Sequence, residues 1–311
     1  MEKLLLDEIH ECFDQKKWVL PFSKDCYATF LLDFWLKKNG PSHIRDIKKT
    51  QFSKLLERPE IKAIAASKAI IDSQTIADIW PTKVEPLVLT LGRWGGEKAY
   101  PGYQVSRKGY NLVLQVNLNE QWNRVLTKLF DSKPNEHMDC GHPINLSRGA
   151  TLGWARLDID FDNGELLIEE VQSDLVRRLS ALKQYALLAQ KDQCETFRFY
   201  YQQWQTKHVL TVLKQIDSML INHWQEAILW SALWFSTNEL GMDTIYYHTF
   251  ETGALLKNIK RRQLPRSLYT DLPRKFCFSQ TNEVPQLLQQ TKSAMRRIKA
   301  QKNAAFFKLV A

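Results

Sequence analysis

Two adjacent acids and an amide, Glu169, Glu170 and Gln172, stand in a stretch otherwise built for burial: residues 151–174 read TLGWARLDIDFDNGELLIEEVQSD. Asn163-Gly164 between two alternating runs is a hairpin turn, because both residue types accept positive φ. A two-residue loop would set Asp162 against Glu165, Asp160 against Leu167, Asp158 against Glu169 and Leu157 against Glu170. Side chains alternate across a sheet. One face then carries Leu157, Ile159, Phe161, Leu166 and Ile168, with Glu170 and Gln172 in the same row. The other carries Trp154, Arg156, Asp158, Asp160 and Glu169. A carboxylate on a core-facing row must be paired, hydrogen-bonded or protonated, and desolvation raises its pKa, which suits acid–base chemistry. Glu170 and Gln172 are therefore the leading catalytic candidates. Glu169 is expected to form a cross-strand ion pair with Arg156. A one-residue slip in register would exchange these assignments.

Other residues can join such a site. His248, in the strand-like TIYYHTF, shares a face with Tyr246 and suits a proton shuttle. Glu226 interrupts an otherwise apolar helix, HWQEAILWSALWFSTNEL. Tyr269 can donate a proton, and Arg266, in Pro265-Arg266-Ser267, can hold an anionic group. Asp174 closes the polar strand and joins the substrate-binding set. Gly92, Gly95, Gly96, Gly102 and Gly109 form a glycine-rich stretch that also carries Arg93 and Arg107. Bare backbone N–H groups beside cations can hold an anion, and a long hairpin loop is the plainer reading. Neither a G-x-x-x-x-G-K-[ST] loop nor a G-x-G-x-x-G fingerprint occurs. His137, Cys140 and His142 in HMDCGH offer zinc-type ligands without a second pair at finger-like spacing, so no metal is expected.

The elements that must position these residues follow from periodicity. Residues 1–84 read as helical, with a stop at Asn39-Gly40-Pro41. The first eighty residues carry only +1, from thirteen basic and twelve acidic residues, which argues against a DNA-reading helix-turn-helix. Leu87–Leu91 and Tyr110–Leu118 read as strands. Residues 175–222 read as a helical insertion with an aromatic stripe through Phe197, Tyr200, Tyr201 and Trp204, better suited to a core than to base stacking. A buried helix over 223–240, a strand over 244–250, a short helix over 251–259 and a strand over 274–279 follow, and 291–311 reads as a loosely docked basic helix. The expected fold class is α+β: a helical N-terminal region (1–84), a mixed, mainly antiparallel sheet packed with a buried helix (85–290), and the basic C-terminal helix (291–311).

The chain has 311 residues, 44% hydrophobic and 25% charged, which excludes a disordered or collagen-like protein. No run of about 18 apolar residues is present, so no membrane partner is expected. The acids at Glu2, Asp7 and Glu8 argue against an export signal. Five unpaired cysteines, Cys12, Cys26, Cys140, Cys194 and Cys277, point to reduced thiols and a cytoplasmic location. The net charge is +9, yet residues 256–311 alone hold thirteen Lys or Arg against Asp271 and Glu283. A segment at +11 attracts polyanions, nucleic acid above all, with Arg261, Arg262, Arg296, Arg297 and Lys299 as the contacts.

Antiparallel strands, a buried helix, a strand, a short helix and a final strand resemble the core of the GNAT (N-acetyltransferase) superfamily over residues 85–280. Ser267-Leu268-Tyr269 before Phe276-Cys277-Phe278 is similar to the Leu-Tyr that precedes the last such strands. The glycine-rich turn that holds the acetyl-CoA pyrophosphate in that superfamily is replaced here by Val171-Gln172-Ser173-Asp174. Glu169-Glu170-Val171-Gln172-Ser173-Asp174, followed by Trp224-Gln225-Glu226, resembles an E-E-[IV]-Q-S-D strand and W-x-E helix of multidomain proteins from bacteriophages and conjugative elements. That resemblance implies an intracellular bacterial protein connected with mobile DNA and assigns no catalytic residue.

Taken together, the residues predict an enzyme transferring a group on an anionic substrate, a nucleotide or nucleic acid, with Glu170, Gln172, His248, Glu226 and Tyr269 as catalytic groups and Arg266, Arg93, Arg107 and Asp174 holding substrate. The rival is a non-catalytic nucleic-acid-binding or interaction protein that relies on the basic segment. Cofactor and oligomeric state are left unspecified.

Overall fold

The computed structural model describes the whole chain apart from residues 15, 82, 99, 138–140, 145–148, 217–218, 260–263, 302–303 and 311. Helix α1 (Lys3–Phe13) leads to strand β1 (Trp18–Phe22) and helix α2 (Cys26–Asn39). Gly40, at φ +72°, ends α2 and donates its N–H to Leu36 O at 2.8 Å. The meander β2 (Glu85–Gly96), β3 (Gly109–Asn117), β4 (Thr151–Asp160) and β5 (Glu165–Gln172) carries helix α3 (Glu120–Phe130) between β3 and β4. Helices α4 (Asp174–Lys191), α5 (Thr206–Ile216) and α6 (Trp224–Asn238) precede β6 (Thr244–His248) and α7 (Phe250–Leu256). Strand β7 (Ser279–Thr281), helix α8 (Lys292–Ala300) and β8 (Phe306–Val310) complete the order.

Among the described residues the eight strands form one sheet in the order β1-β2-β3-β4-β5-β6-β8-β7. Every neighbouring pair is antiparallel except β5 with β6. The fold is thus α+β with a mixed, mainly antiparallel sheet. Helix α6 packs on β4 and β5, and its apolar residues are buried almost all round, as its composition requires. Gly153 is where helix and sheet come closest: a Cβ there would collide with Ile228 Cδ1 and Gln172 O.

Four expectations are corrected. The N-terminal region is not wholly helical, since β1 pairs with β2 and forms one edge of the sheet. Residues 175–222 are not one helical stretch: Thr196–Phe199 and Gln202–Gln205 form a hairpin, with Phe197 opposite Trp204. Its aromatic spacing fits period two as well as period 3.6, and the hairpin buries Phe199 and Trp204 while leaving Tyr200 and Tyr201 exposed. Residues 274–279 are not a strand. Leu272–Lys275 is helical, Cys277 turns the chain at φ +62°, and only Ser279–Thr281 joins the sheet.

The basic end is not a loose helix either. Ala294 and Ile298 anchor α8, Arg297 Nη1 donates to Leu256 O at 2.8 Å, and β8 lies inside the sheet, between β6 and β7. Alternating apolar residues in Phe306–Val310 bury Phe306, Phe307 and Leu309 on two sheet neighbours. Truncation after Ala300 is therefore expected to abolish cooperative thermal unfolding followed by circular dichroism, rather than merely to remove cations.

Candidate functional site

The β4–β5 hairpin closes through a four-residue loop, 161–164, so the last pair is Asp160 with Glu165. Asp160 accepts from Asn163 Nδ2 at 2.9 Å, and Gly164 takes the positive φ of +62°. This loop moves the register by two residues and leaves the faces unchanged: Leu157 opposes Ile168 and Ile159 opposes Leu166. A β-bulge at Glu169 then changes the alternation, and beyond it Arg156 opposes Glu170 and Trp154 opposes Gln172. Glu170 and Gln172 therefore leave the apolar row. The ion pair expected of Glu169 belongs to Glu170, whose Oε2 lies 2.8 Å from Arg156 Nη2.

Arg156 is 1% exposed, and its Nη1 and Nη2 also donate to Tyr103 O at 2.7 Å and Gln104 O at 3.1 Å. Residues 100–108 are thereby drawn over the polar face of the sheet. Arg107 is held in the same way: its Nε and Nη2 meet the buried Asp158 carboxylate at 2.6 and 2.7 Å. Its Nε and Nη2 are thus engaged within the fold. Arg93 is exposed on β2, away from the cleft described below.

Glu169 turns inward instead. It accepts from Ser106 N at 3.1 Å and Ser106 Oγ at 2.9 Å, and its Oε2 lies 3.1 Å from His248 Nε2. Burial alone would raise its pKa. The hydrogen bond from His248 and the charges of His248, Lys257 and Arg156 outweigh burial and hold it down at about 2. Burial lowers the His248 pKa despite the hydrogen bond and charge of Glu169. Ser106 and Glu169 meet the same ring nitrogen, and all three are sealed from solvent, so this is not the Ser–His–acid relay in which nucleophile and orienting acid use opposite nitrogens of the histidine. His248 accordingly serves Glu169 and not Glu170.

The cleft lies where the two parallel strands part. β5 and β6 pair only from Glu165 with Thr244 to Ile168 with Tyr247. Beyond that point the free edge of β5 opens on a cavity of about 660 Å³ at the carboxyl ends of both strands. Such crevices are where open sheets place ligands. Glu170, Gln172 and Ser173 form one wall, Gln104 and His142 another, Trp224 and Arg177 the lip, and Leu264, Leu268 and Tyr269 the far side. The Glu170 side chain is 16% exposed. It is neither in bulk water nor shut away behind its arginine.

Lys257 sits under the divergence, fully enclosed. Its Nζ donates to Glu169 O at 3.0 Å, where a ladder bond would have been, and to Tyr269 Oη at 2.6 Å, and lies 3.9 Å from Glu170 Oε1. Burial brings its pKa down to about 8, against the raising influence of Glu170 and Glu169. Burial and the Glu170 charge push Tyr269 well above its ordinary value. Burial also raises Glu170, but Arg156 and Lys257 outweigh it and keep the carboxylate ionised. Tyr269 is aimed inward by a π-helical turn, Ser267–Asp271.

The remaining candidates stand elsewhere. Glu226 faces the N-terminal region, with Oε1 2.6 Å from Lys275 Nζ and 3.0 Å from His223 Nδ1; its helix brings Trp224 and Gln225 to the cleft instead. Asp174 is taken by His142 Nδ1 at 2.6 Å and by Arg177. Arg266 opens on a different cavity. Arg296, Arg297 and Lys299 are exposed on α8, while Arg261 and Arg262 lie outside the described residues, as do Cys140 and the His137 side chain. The described residues hold no group of three His, Cys, Asp or Glu fit for a metal. They also include no helix long and apolar enough to cross a membrane. Lys257 and Gln104 were missed by the sequence reading: one was counted only as charge, the other sits in a loop without periodicity. Compared with protein-family models, curated proteins and solved structures, the chain matches none.

The Glu169 and His248 pKa values are both lower in the folded chain than in the unfolded one. The His248 contribution is complete above about pH 6.5 and fades on acidification, and that of Glu169 is complete above about 4.5 and is lost toward 2. The thermal midpoint is therefore expected to fall steadily below pH 6.5. Glu169→Gln should cost about 3 kcal/mol at neutral pH and flatten the acid limb of that curve, as read by melts between pH 3 and 8.

Proposed function

We propose that the cleft between β5 and β6 is the active site of a group-transfer enzyme acting on an anionic substrate, a nucleotide or nucleic acid. The observation that carries this reading is the Glu170–Lys257–Tyr269 cluster beneath the point where the two parallel strands part. A carboxylate, an ammonium and a phenol with separated proton affinities meet there beside a cavity of about 660 Å³.

Each group has a role set by its neighbours. Tyr269 Oη accepts from the Lys257 ammonium, which leaves its own O–H free to protonate a leaving group while Lys257 stabilises the developing phenolate. Glu170 takes the proton of the attacking group. Its lowered pKa suits transfer from a nucleophile already bonding, whose acidity has risen. Lys257 Nζ and Glu170 Oε1, 3.9 Å apart, then return the proton and restore both groups. Arg156 is a positioning residue for Glu170.

The strand order and the parallel pair after a buried helix support a GNAT-like version of this reading. A coenzyme A pyrophosphate does not fit the superfamily's usual place, however. The first turn of α4 carries the Asp174 carboxylate, and Ser173 Oγ already accepts the Val176 N–H at 3.0 Å. No step is assigned to coenzyme A. The rival reading, polyanion binding without turnover, draws on the exposed Arg296 and Lys299 of α8, and predicts steep salt dependence with no product.

The test is product detection by mass spectrometry with nucleotides and oligonucleotides against acyl, methyl and phosphoryl donors. Glu170→Gln and Tyr269→Phe should each lower turnover by about a hundredfold or more. The rate should fall above about pH 8, where Lys257 loses its proton. Undiminished turnover in Glu170→Gln would remove the cleft from the chemistry.

A further inference from the structure

Tyr269 has a second side. Across it from the cleft lies another cavity, of about 570 Å³, between the carboxyl end of β6, the π turn and the last two strands of the sheet. The exposed Arg266 and Arg274 line it, one just before the π turn and one in the short helix Leu272–Lys275 after it, with Thr270, Gln280, Gln301 and Glu251. In the cleft, Glu170 is matched by Arg156 and Lys257 behind it. Here two arginines stand against one acid, Glu251. Neither guanidinium has an ion-pair partner among the described residues. Arg266 packs over the Phe250 ring at 4.6 Å, which fixes the cation and leaves its N–H groups free. Two forked donors and two side-chain amides in one concavity match the oxygen-rich, multiply charged surface of a phosphate and the polar body attached to it. The volume lies within the range of small-molecule sites.

We propose that this cavity is a phosphate-binding site that holds the phosphate of a nucleotide or nucleic acid through Arg266 and Arg274. That substrate class rests on the group-transfer reading; the phosphate site itself is measured without turnover. It places the polyanion affinity of the cation-rich segment in a shaped pocket and not on the outer face of α8.

The experiment is calorimetric titration of the full chain with inorganic pyrophosphate. Wild type is expected to bind, and the double variant Arg266→Ala/Arg274→Ala to bind at least about tenfold more weakly, since a charge-assisted hydrogen bond contributes on the order of the 1.4 kcal/mol that a factor of ten represents. Arg266→Lys/Arg274→Lys, which keeps the charge and loses the forks, should fall between. Arg296→Ala/Lys299→Ala and Glu170→Gln should bind as wild type does. Displacement of pyrophosphate by a short single-stranded oligonucleotide assigns the phosphate to a nucleic acid, and displacement by a mononucleotide alone assigns it to a free nucleotide. Absence of pyrophosphate binding, or equal binding by the double alanine variant with an unchanged melting curve, overturns the proposal. Loss of turnover in Glu170→Gln with pyrophosphate binding intact would separate the fate of the cleft from that of this site.

Discussion

A guanidinium denied access to water needs acceptors inside the protein, and Arg156 organises the polar half of this molecule through those that its two Nη groups find. Its donors reach the carbonyls of Tyr103 and Gln104 and the carboxylate of Glu170. One side chain thereby fixes a loop with little regular structure, sets a wall of the cleft and orients the carboxylate that opens on it. Asp158 with Arg107, and Glu169 with Ser106, pin the same loop at two further points. Taking charges out of water costs several kcal/mol each, and removal of one partner from such a pair typically costs about 3–5 kcal/mol. A face built this way tolerates little change in any member, which suits a surface that must hold a geometry rather than maximise stability.

The opposite face of the sheet answers to ordinary hydrophobic logic. Leu157, Ile159, Leu166 and Ile168 meet α6, whose apolar circumference required burial on all sides. The charged face has a smaller core of its own, where Leu167, opposite Asp158, packs with Tyr246, Leu256, Ile298 and Phe306. The parallel step from β5 to β6 is what opens the cleft, because β6 ends at His248 and its partner continues to Gln172 unaccompanied on that side.

Most of the scaffold was legible because it is periodic. The strands at 87–91 and 110–118, the alternating hairpin with its Asn163-Gly164 turn, and the helix over Trp224–Asn238 all announce themselves through the spacing of apolar residues. The candidate site was legible only in part. Glu170, Gln172 and Tyr269 do reach the cleft, but the first two arrive for a reason that alternation cannot express: a bulge moves them from the Ile168 row to the Arg156 row. His248 and Glu226 were paired with the wrong neighbours, since each contact spans a sequence separation that periodicity does not encode. Lys257 was invisible as a buried group because nothing around it says which cations will be enclosed. The C-terminal strand was hidden behind its charge, although Phe306, Phe307 and Leu309 carry the alternation of a strand with both faces covered.

Glu170 owes its place to one extra residue in a strand, and Tyr269 sits on a helical turn widened by one residue. Without the bulge the strand would set Glu169 against Arg156 and Glu170 against Ala155, back in the apolar row. The placement of the cleft's side chains is therefore separable from the architecture by a local change of register, and a relative that shares every strand of the sheet need not share the cleft.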